Sequence, residues 1–238
     1  MTDEDPASLR RPAERIRERV DRVLGDLGAT AGDVVGTLAP LRRPLRRSDL
    51  AAVQPALVQV IDRHRDFVQG VGIAFDDGHL GDASRWIEWW RSEDGEPAEF
   101  VRHNLDPEHN HFYDYAGKEW FALPRTMRRP TVTGPFVDFA GTNEHTITLA
   151  VPVVHDDGFV DVLGADVAVE GVERLLVESV QSRSPDTVLL NEHDRVVAST
   201  GVRWWSGTLL RRDDPGPDWS EAVDLGGDLR WRVVRAHG

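Results

Sequence analysis

Apolar residues at helical spacing mark the first part of the chain. Between residues 7 and 27, Ile16, Val20, Val23 and Leu27 recur at steps of four, three and four, with arginine and glutamate between them. This spacing predicts an amphipathic helix with a narrow apolar seam. A narrow seam suits packing against another helix, either in this chain or in a second copy, so an ordinary packing helix and a dimer interface both stay open.

Two more helical segments are predicted before residue 68. One follows the glycine-containing stretch 28–36, and the other begins at Leu50, where Ser48 can cap it, and runs towards Phe67. The arginine-rich run 42–47 between them is interpreted as a solvated connection rather than a site for an acidic partner. We therefore expect residues 1–67 to form a helical region.

From Val68 onwards the hydrophobic period changes to alternating or continuous apolar runs, which are typical of strands. Turn residues separate five such runs: Val68–Phe75, Arg85–Arg91, Glu99–His103, Thr146–Val154 and Phe159–Val169. Five strands after a long helical region predict an α+β fold with an antiparallel sheet and helices on one side. A helix at 169–180, strands within 187–199 and a closing strand at 229–234 predict a small C-terminal α/β extension.

The segment between Asn104 and Thr142 breaks both periodicities. It is rich in aromatic residues, charges and prolines, and it is predicted to be irregular. A structureless loop of this length inside a compact domain is usually functional. We therefore expect it to contribute to a site.

Composition excludes several classes of function. The formal net charge of -13 disfavours binding to nucleic acid or to an anionic membrane surface. The absence of cysteine excludes disulfides, thiolate nucleophiles and cysteine-ligated metals. No stretch has the length and apolar character of a membrane span, and there is no N-terminal apolar segment, so a cytoplasmic location is expected.

Four segments together resemble the core of Cache domains, which are PAS-like small-molecule sensor modules. They are Tyr113–Phe121, Gly134–Asp138, Thr146–Val153 and Val162–Val167, and their order and spacing match the family pattern. The resemblance covers about residues 68–176 and implies a PAS-like ligand-binding domain there. Residues 177–238 are then expected to form a C-terminal extension, a truncated second module.

By this resemblance the ligand-binding residues are expected to lie on the pocket's helical lip and on two strands: Tyr113, Tyr115, Lys118, Trp120, Phe121, Phe136, Asp138 and Asp166. Two of them depart from the pattern, because Lys118 stands where amino-acid-binding members carry arginine and Phe121 stands where tyrosine is usual. Lysine does not provide the two-pronged fork that holds a carboxylate. The resemblance therefore implies an amine-bearing ligand, either an amine or an amino acid.

The residues themselves give partial support to this implication. Strand alternation places Phe136 and Asp138 on one face, and Asp166 ends a strongly apolar run, where an ionised carboxylate requires a cationic or hydrogen-bonding partner. Two carboxylates among aromatic rings are what an ammonium group requires. Alternation also places Trp86, Glu88 and Trp90 on one face of their strand and Trp89 on the other. A packing role and a pocket-wall role both stay open for these tryptophans.

Enzymatic alternatives are weaker in the sequence. His109 and His111 could hold iron or zinc together with residues such as Glu108, Glu119, Glu144 or His145, although a loop histidine pair is the more common explanation. There is no Gly-x-Ser-x-Gly elbow and no glycine-rich phosphate loop. Asp138 and Asp166 could act as acid and base, but nothing selects a reaction for them. We therefore expect a non-enzymatic sensor without a cofactor, and a small metal-dependent enzyme using His109 and His111 is the alternative.

Cache domains usually lie outside the membrane and are joined through membrane helices to output regions. The sequence shows neither feature. The signal is therefore expected to pass to a separate signalling or regulatory protein, or through self-association as a homodimer formed by the N-terminal helices. The alternative is a protein that only sequesters or delivers its ligand.

Overall fold

The computed structural model describes residues 7–41, 44–93, 96–139, 145–180, 186–210, 219–227 and 229–236. Its first element is one long helix, α1 (Ala7–Leu38), and not the two separate helices that the glycines predicted. Gly28 and Gly36 lie on its exposed side, and their cost in helix propensity is about 1 kcal/mol each. Buried residues continue at helical spacing through Val34 and Leu38, so tertiary packing outweighs that cost.

The apolar seam of α1 is used inside this chain. Ile16, Val20, Val23 and Leu27 are each at most 2% exposed and belong to the main hydrophobic core. The helix packs against α2, α4 and strands of both sheets. Of the two interpretations of the seam, the packing helix is the one the structure shows, so a homodimer through α1 would have to use another face.

The connection to the sheet is a 3-10 helix (Arg47–Ala52) followed by α2 (Gln54–Arg63). The helix predicted from Leu50 with a Ser48 cap therefore begins later, because Pro55 fits the first turn of a helix but not its interior. Arg42 and Arg43 of the basic run lie outside the described residues.

The main sheet contains the five predicted strands and a sixth. Its strand order is β3-β2-β1-β6-β5-β4, and all its pairs are antiparallel. The strands are β1 (Val68–Ala74), β2 (Ile87–Arg91), β3 (Glu99–Phe100), β4 (Thr131–Val137), β5 (His145–Val154) and β6 (Val160–Ala168). The α+β class and the antiparallel sheet after a long helical region are confirmed.

The segment predicted to be irregular contains regular elements. It holds a 3-10 turn (Tyr115–Gly117), helix α3 (Glu119–Met127) and strand β4. Helix α3 buries Trp120, Phe121 and Pro124. These residues cover little more than one helical turn, which is too short for a hydrophobic period to show in the sequence.

The two faces of the main sheet pack against different layers. On β5, Ile147 and Leu149 belong to the core that includes α1, whereas Ala150 belongs to a second cluster with residues of α3. Helix α2 also packs on β1, and α3 packs on β4, β5 and β6. The main sheet therefore lies between the long helix on one face and the Tyr113–Met127 region on the other.

The C-terminal part forms a second antiparallel sheet with strand order β8-β7-β10-β9. Its strands are β7 (Thr187–Leu190), β8 (Val196–Ser199), β9 (Trp219–Asp224) and β10 (Arg232–Ala236). Helix α4 (Val169–Ser179) joins the sheets and packs on β8, and α1 contacts β9 and β10. Residues of both sheets share one hydrophobic core with α1.

Candidate functional site

A small cavity lies between the α3 face of the main sheet and the segment around Tyr113. Its volume is about 10 Å³, which is room for about one water molecule. The lining includes four residues implied by the family resemblance, Tyr113, Trp120, Asp138 and Asp166. The lining also includes Trp89, for which a pocket-wall role was left open, and three residues that were not predicted: Ile87, His103 and Thr148.

The two carboxylates of this cavity are buried and hydrogen-bonded. The Tyr113 hydroxyl donates to Oδ1 of Asp138 at 2.9 Å, and the Thr148 hydroxyl donates to Oδ1 of Asp166 at 2.6 Å. Thr148 and Asp166 are direct partners in the β5–β6 ladder, which fixes their side chains on the same face. Burial and then the negative charges of Asp138 and Asp166 raise the pKa of Tyr113, so its phenol stays protonated and donating.

Trp89 forms one wall because glycines on the adjacent strands leave room for its indole. A Cβ on Gly72 would lie 2.4 Å from Cε3 of Trp89, and one on Gly164 would lie 3.1 Å from its Cη2. The indole meets the ring of Trp120 edge-on, with 5.7 Å between centroids. The position of Trp89 therefore depends on Gly72 and Gly164, and the alternating strand pattern did not indicate this role.

His103 is the second unpredicted polar group at the cavity. Its ring stacks on Tyr113 with 4.9 Å between centroids, and its Nδ1 atom is buried and has no hydrogen-bond partner among the described residues. Burial lowers the pKa of His103, although the charge of Asp138 opposes this effect. Burial therefore favours the neutral imidazole over the charged form.

Three predicted residues lie beside the cavity without lining it. Tyr115 and Phe121 pack edge-on at 5.0 Å, and the Tyr115 hydroxyl donates to the backbone carbonyl of Phe75 at 2.7 Å. Phe136 is partly buried against the same cluster. Tyr115 and Phe121 therefore support the lip as packing residues, and Phe136 lies at its edge.

Lys118 also lies beside the cavity rather than in its lining. Its Nζ atom is 5.5 Å from the centroid of the Tyr113 ring, and the side chain is half-buried at the start of α3. This position places a positive charge near a ring whose hydroxyl donates to Asp138.

The alternation predicted for the tryptophan-rich strand is present. Glu88 accepts hydrogen bonds from the indoles of both Trp86 and Trp90, at 3.0 and 3.2 Å, on the face opposite Trp89. Burial raises the pKa of Glu88, and the two indole donors oppose this effect. Trp86 and Trp90 therefore pack on the helical side of the sheet, whereas Trp89 walls the cavity.

His109 and His111 lie on an exposed turn and not on an extended strand. The His111 backbone N–H donates to Nδ1 of His109 at 3.1 Å, so one imidazole nitrogen is already used locally. Within the part of the chain that the structure describes, they form no cluster with a third ligand. Glu144, one of the predicted third ligands, lies outside that part.

No protein-family model matches the chain, and no curated protein matches it in sequence. Among the helices of the described residues, none is long and apolar enough to cross a bilayer.

Solved structures are similar to the chain over nearly its whole length. The ligand-binding domain of the Pseudomonas aeruginosa PAO1 amino acid chemoreceptor PctB, in complex with L-Arg, has a TM-score of 0.67 at 12% identity, covering 97% of this chain and 92% of that one. The corresponding domain of PctC from the same organism, in complex with GABA, has a TM-score of 0.65 at 17% identity, covering 98% and 97%. The extracellular domain of soHK1S-Z6, which is described as a histidine kinase, has a TM-score of 0.63 at 16% identity, covering 97% and 92%.

These similarities include α1 and the second sheet as well as the part that carried the sequence resemblance. The chain therefore has the fold of the Cache-type ligand-binding domains of chemoreceptors and histidine kinases.

Proposed function

We propose that the protein is a non-enzymatic sensor domain that binds a small amine-bearing ligand, an amine or an amino acid, in the cavity between Tyr113 and Asp166. The observation that carries this proposal is the convergence of two buried carboxylates, Asp138 and Asp166, on one cavity walled by Trp89 and Trp120. An ammonium group would gain charge-assisted hydrogen bonds from the carboxylates. Each cation–π contact with the rings would add about 0.5–2 kcal/mol.

The similar structures support a ligand of this class. PctB and PctC are solved with L-Arg and GABA, both of which carry an ammonium group. In this chain Lys118 is the nearest predicted group for a carboxylate at the other end of the ligand, and its single charge lacks the bidentate geometry of arginine. We therefore expect the amine end of the ligand to contribute more to affinity than a carboxylate end.

Ligand binding requires the cavity wall to move. About 10 Å³ holds one water, whereas pockets for drug-sized ligands occupy about 300–1,000 Å³. The lip formed by Tyr113 and α3 is the part that can yield, because the opposite wall is made of paired strands. A small ligand is favoured, since each additional atom requires a larger displacement of the lip.

The strand β5 offers a route for the signal. Its Thr148 faces the cavity and holds Asp166, whereas the neighbouring Ile147 and Leu149 pack in the core that contains α1. A shift of β5 on ligand binding therefore reaches α1 directly. We propose that α1 passes this change to a separate signalling protein or to a second copy through a face other than its buried seam.

The remaining expectations stay proposals. We propose that residues 68–176 form the ligand-binding module and that residues 177–238 belong to a smaller second module, which the second sheet supports. The predicted cytoplasmic location is a proposal as well, and the similar soHK1S-Z6 structure is an extracellular domain.

A thermal-shift screen of primary amines, amino acids and simple carboxylates tests the proposal, followed by calorimetry on each compound that raises the melting temperature. A true ligand raises Tm with concentration, since it binds only the folded state. Asp166→Asn should weaken binding by about 2 kcal/mol or more, which is roughly 30-fold in Kd, because it removes one buried charge partner of the ammonium group. The matched control is Asp33→Asn, which changes an exposed carboxylate on α1.

Two results would count against the proposal. One is stabilisation by carboxylates alone, and the other is equal amine affinity in the Asp166→Asn and Asp33→Asn variants. Lys118→Ala separates amines from amino acids, because it should weaken only ligands that also carry a carboxylate.

The metal-dependent alternative has its own test. Stoichiometric tight zinc or iron in the purified protein, lost when both His109 and His111 are changed to alanine, would support an enzyme at that turn and contradict a purely sensory role.

A further inference from the structure

A second polar cluster is buried at the opposite end of the β5–β6 hairpin from the ligand cavity. Nδ1 of His79 and Nε2 of His155 each lie 2.8 Å from the same oxygen, Oδ2 of Asp161. The three side chains are at most 1% exposed. The three atoms lie within 4.8 Å of one another, which is close enough for one metal ion to contact all three.

The surroundings fix the orientation of each group. The backbone N–H of Asp76 donates to Oδ1 of Asp161 at 2.8 Å, which leaves Oδ2 for the histidines. The His79 ring stacks on Phe159 with 4.4 Å between centroids and meets the His155 ring edge-on at 4.6 Å. The hydrogen bond to Oδ1 is of the kind that holds a ligating carboxylate in place at a metal site, and the ring contacts restrict the rotation of the two imidazoles.

The charge of the cluster is the feature that points to a cation. Both imidazoles can donate to Oδ2 of Asp161, because a carboxylate oxygen accepts two hydrogen bonds. Hydrogen bonds from imidazole nitrogens do not cancel the negative charge of the buried carboxylate, which is costly without a cation or a proton. A divalent cation would balance this charge and would use all three donor atoms.

We propose that His79, His155 and Asp161 bind one divalent transition-metal ion, with Zn²⁺ as the best fit to two imidazoles and a carboxylate. Zinc accepts this donor set, whereas Ca²⁺ and Mg²⁺ prefer oxygen ligands. His79 lies in the loop between β1 and β2, and His155 and Asp161 flank the turn between β5 and β6. The bound ion would join these two loops, and its role is structural, because no residue of the cluster lines the ligand cavity.

The test uses the full chain, stripped with a chelator and desalted, and then loaded with Zn²⁺. Elemental analysis after a second desalting should give one zinc per chain, and the Tm should rise with zinc concentration. Co²⁺ loading provides an optical readout, since the visible bands of Co²⁺ in a low-coordinate nitrogen and oxygen site are stronger than those of the aquo ion.

The variants His155→Gln and Asp161→Asn are compared with the double variant His109→Gln/His111→Gln, which changes two exposed histidines. The cluster variants should lose more affinity than the roughly 10–100-fold that loss of a supporting residue costs, and the control should retain the metal. If the cluster variants do not fold, the zinc stoichiometry and the Co²⁺ spectrum of the unmodified chain still test whether the metal site exists. Failure to retain zinc in the unmodified chain, or loss of zinc only in the control, would overturn the proposal and leave a hydrogen-bonded cluster. Neither result affects the amine screen.

Discussion

The hydroxyl of Tyr113 donates to Oδ1 of Asp138 at 2.9 Å, whereas the hydroxyl of Tyr115, two residues later, donates to the backbone carbonyl of Phe75 at 2.7 Å. The first bond lies at the cavity and the second in the core beneath the lip. Two tyrosines of one motif therefore have separable roles.

Tyr113→Phe should mainly reduce ligand affinity, because it removes the donor that orients Asp138 in the cavity. We expect a loss of about 1 kcal/mol, or roughly fivefold in Kd, measured by calorimetry with the best amine from the screen. Tyr115→Phe is the matched change. It should lower the free energy of unfolding by about 1–3 kcal/mol by leaving the Phe75 carbonyl unsatisfied, with little change in affinity. The reverse pattern would contradict this division of roles.

Gly72→Ala should destabilise the protein, because the added methyl group would occupy the space in which the Trp89 indole packs. A Cβ there would lie 2.4 Å from the backbone oxygen of Glu88 and 2.4 Å from the Trp89 ring, so strand pairing and the indole must both shift. Overpacking of this kind costs about 1–3 kcal/mol, which urea unfolding measures. Gly28→Ala in α1 is the control, since its Cβ meets nothing within 4 Å and helix propensity favours alanine by about 1 kcal/mol. Equal effects of the two changes would show that the close approach at Gly72 is unimportant.

The free energy of unfolding should fall as the pH drops below about 6.5, partly through His103. Burial lowers the pKa of His103 in the folded state, so the unfolded chain binds its proton more readily. The penalty is absent above the unfolded pKa, grows as the pH falls from there towards the folded pKa, and is constant below it.

His103→Gln should therefore flatten the pH dependence of unfolding relative to the unmodified chain, measured by denaturant titrations at about pH 5.5 and pH 7.5. His193→Gln is the comparison, because its side chain is 72% exposed. If both variants keep the slope of the unmodified chain, His103 is not the titrating group.

Ile16→Ala should destabilise a single chain rather than alter self-association. The side chain is fully buried in the core of this chain, and truncation of a buried isoleucine costs about 2–5 kcal/mol. Denaturant unfolding at two protein concentrations, with light scattering, separates the two effects. A loss of stability that depends on protein concentration would indicate that the seam also contacts a second copy.

Much of the fold could be predicted from the sequence because its strands are long and strongly apolar. The runs that became β1, β5 and β6 differ from the predicted ranges by one or two residues at their ends. The single long helix could not be predicted, because a glycine inside a helix cannot be distinguished in the sequence from a glycine that ends one. Only the packing of Val34 and Leu38 in the core shows that the helix continues.

The motif order in the sequence was sufficient to identify four residues that line the cavity, among them Asp138 and Asp166. It could not separate Tyr113 from Tyr115, since both are buried aromatic residues and only their hydrogen-bond partners differ. His103 was missed as a cavity residue, because it lies at the end of a strand whose apolar pattern predicts ordinary packing. For Trp89 the alternation left a packing role and a pocket-wall role both open, and only the structure decides between them.

The sequence by itself determined the α+β class, the position of the aromatic and acidic segment, and the departures at Lys118 and Phe121, because these follow from local periodicity and residue order. Only the tertiary structure decided that the apolar seam of α1 is buried in this chain and that the Trp89 indole packs directly against the backbone of Gly72. It also brought together His79, from the loop between β1 and β2, with His155 and Asp161, which flank the turn between β5 and β6. Such contacts depend on strand pairing between segments far apart in the chain, which short-range patterns do not encode.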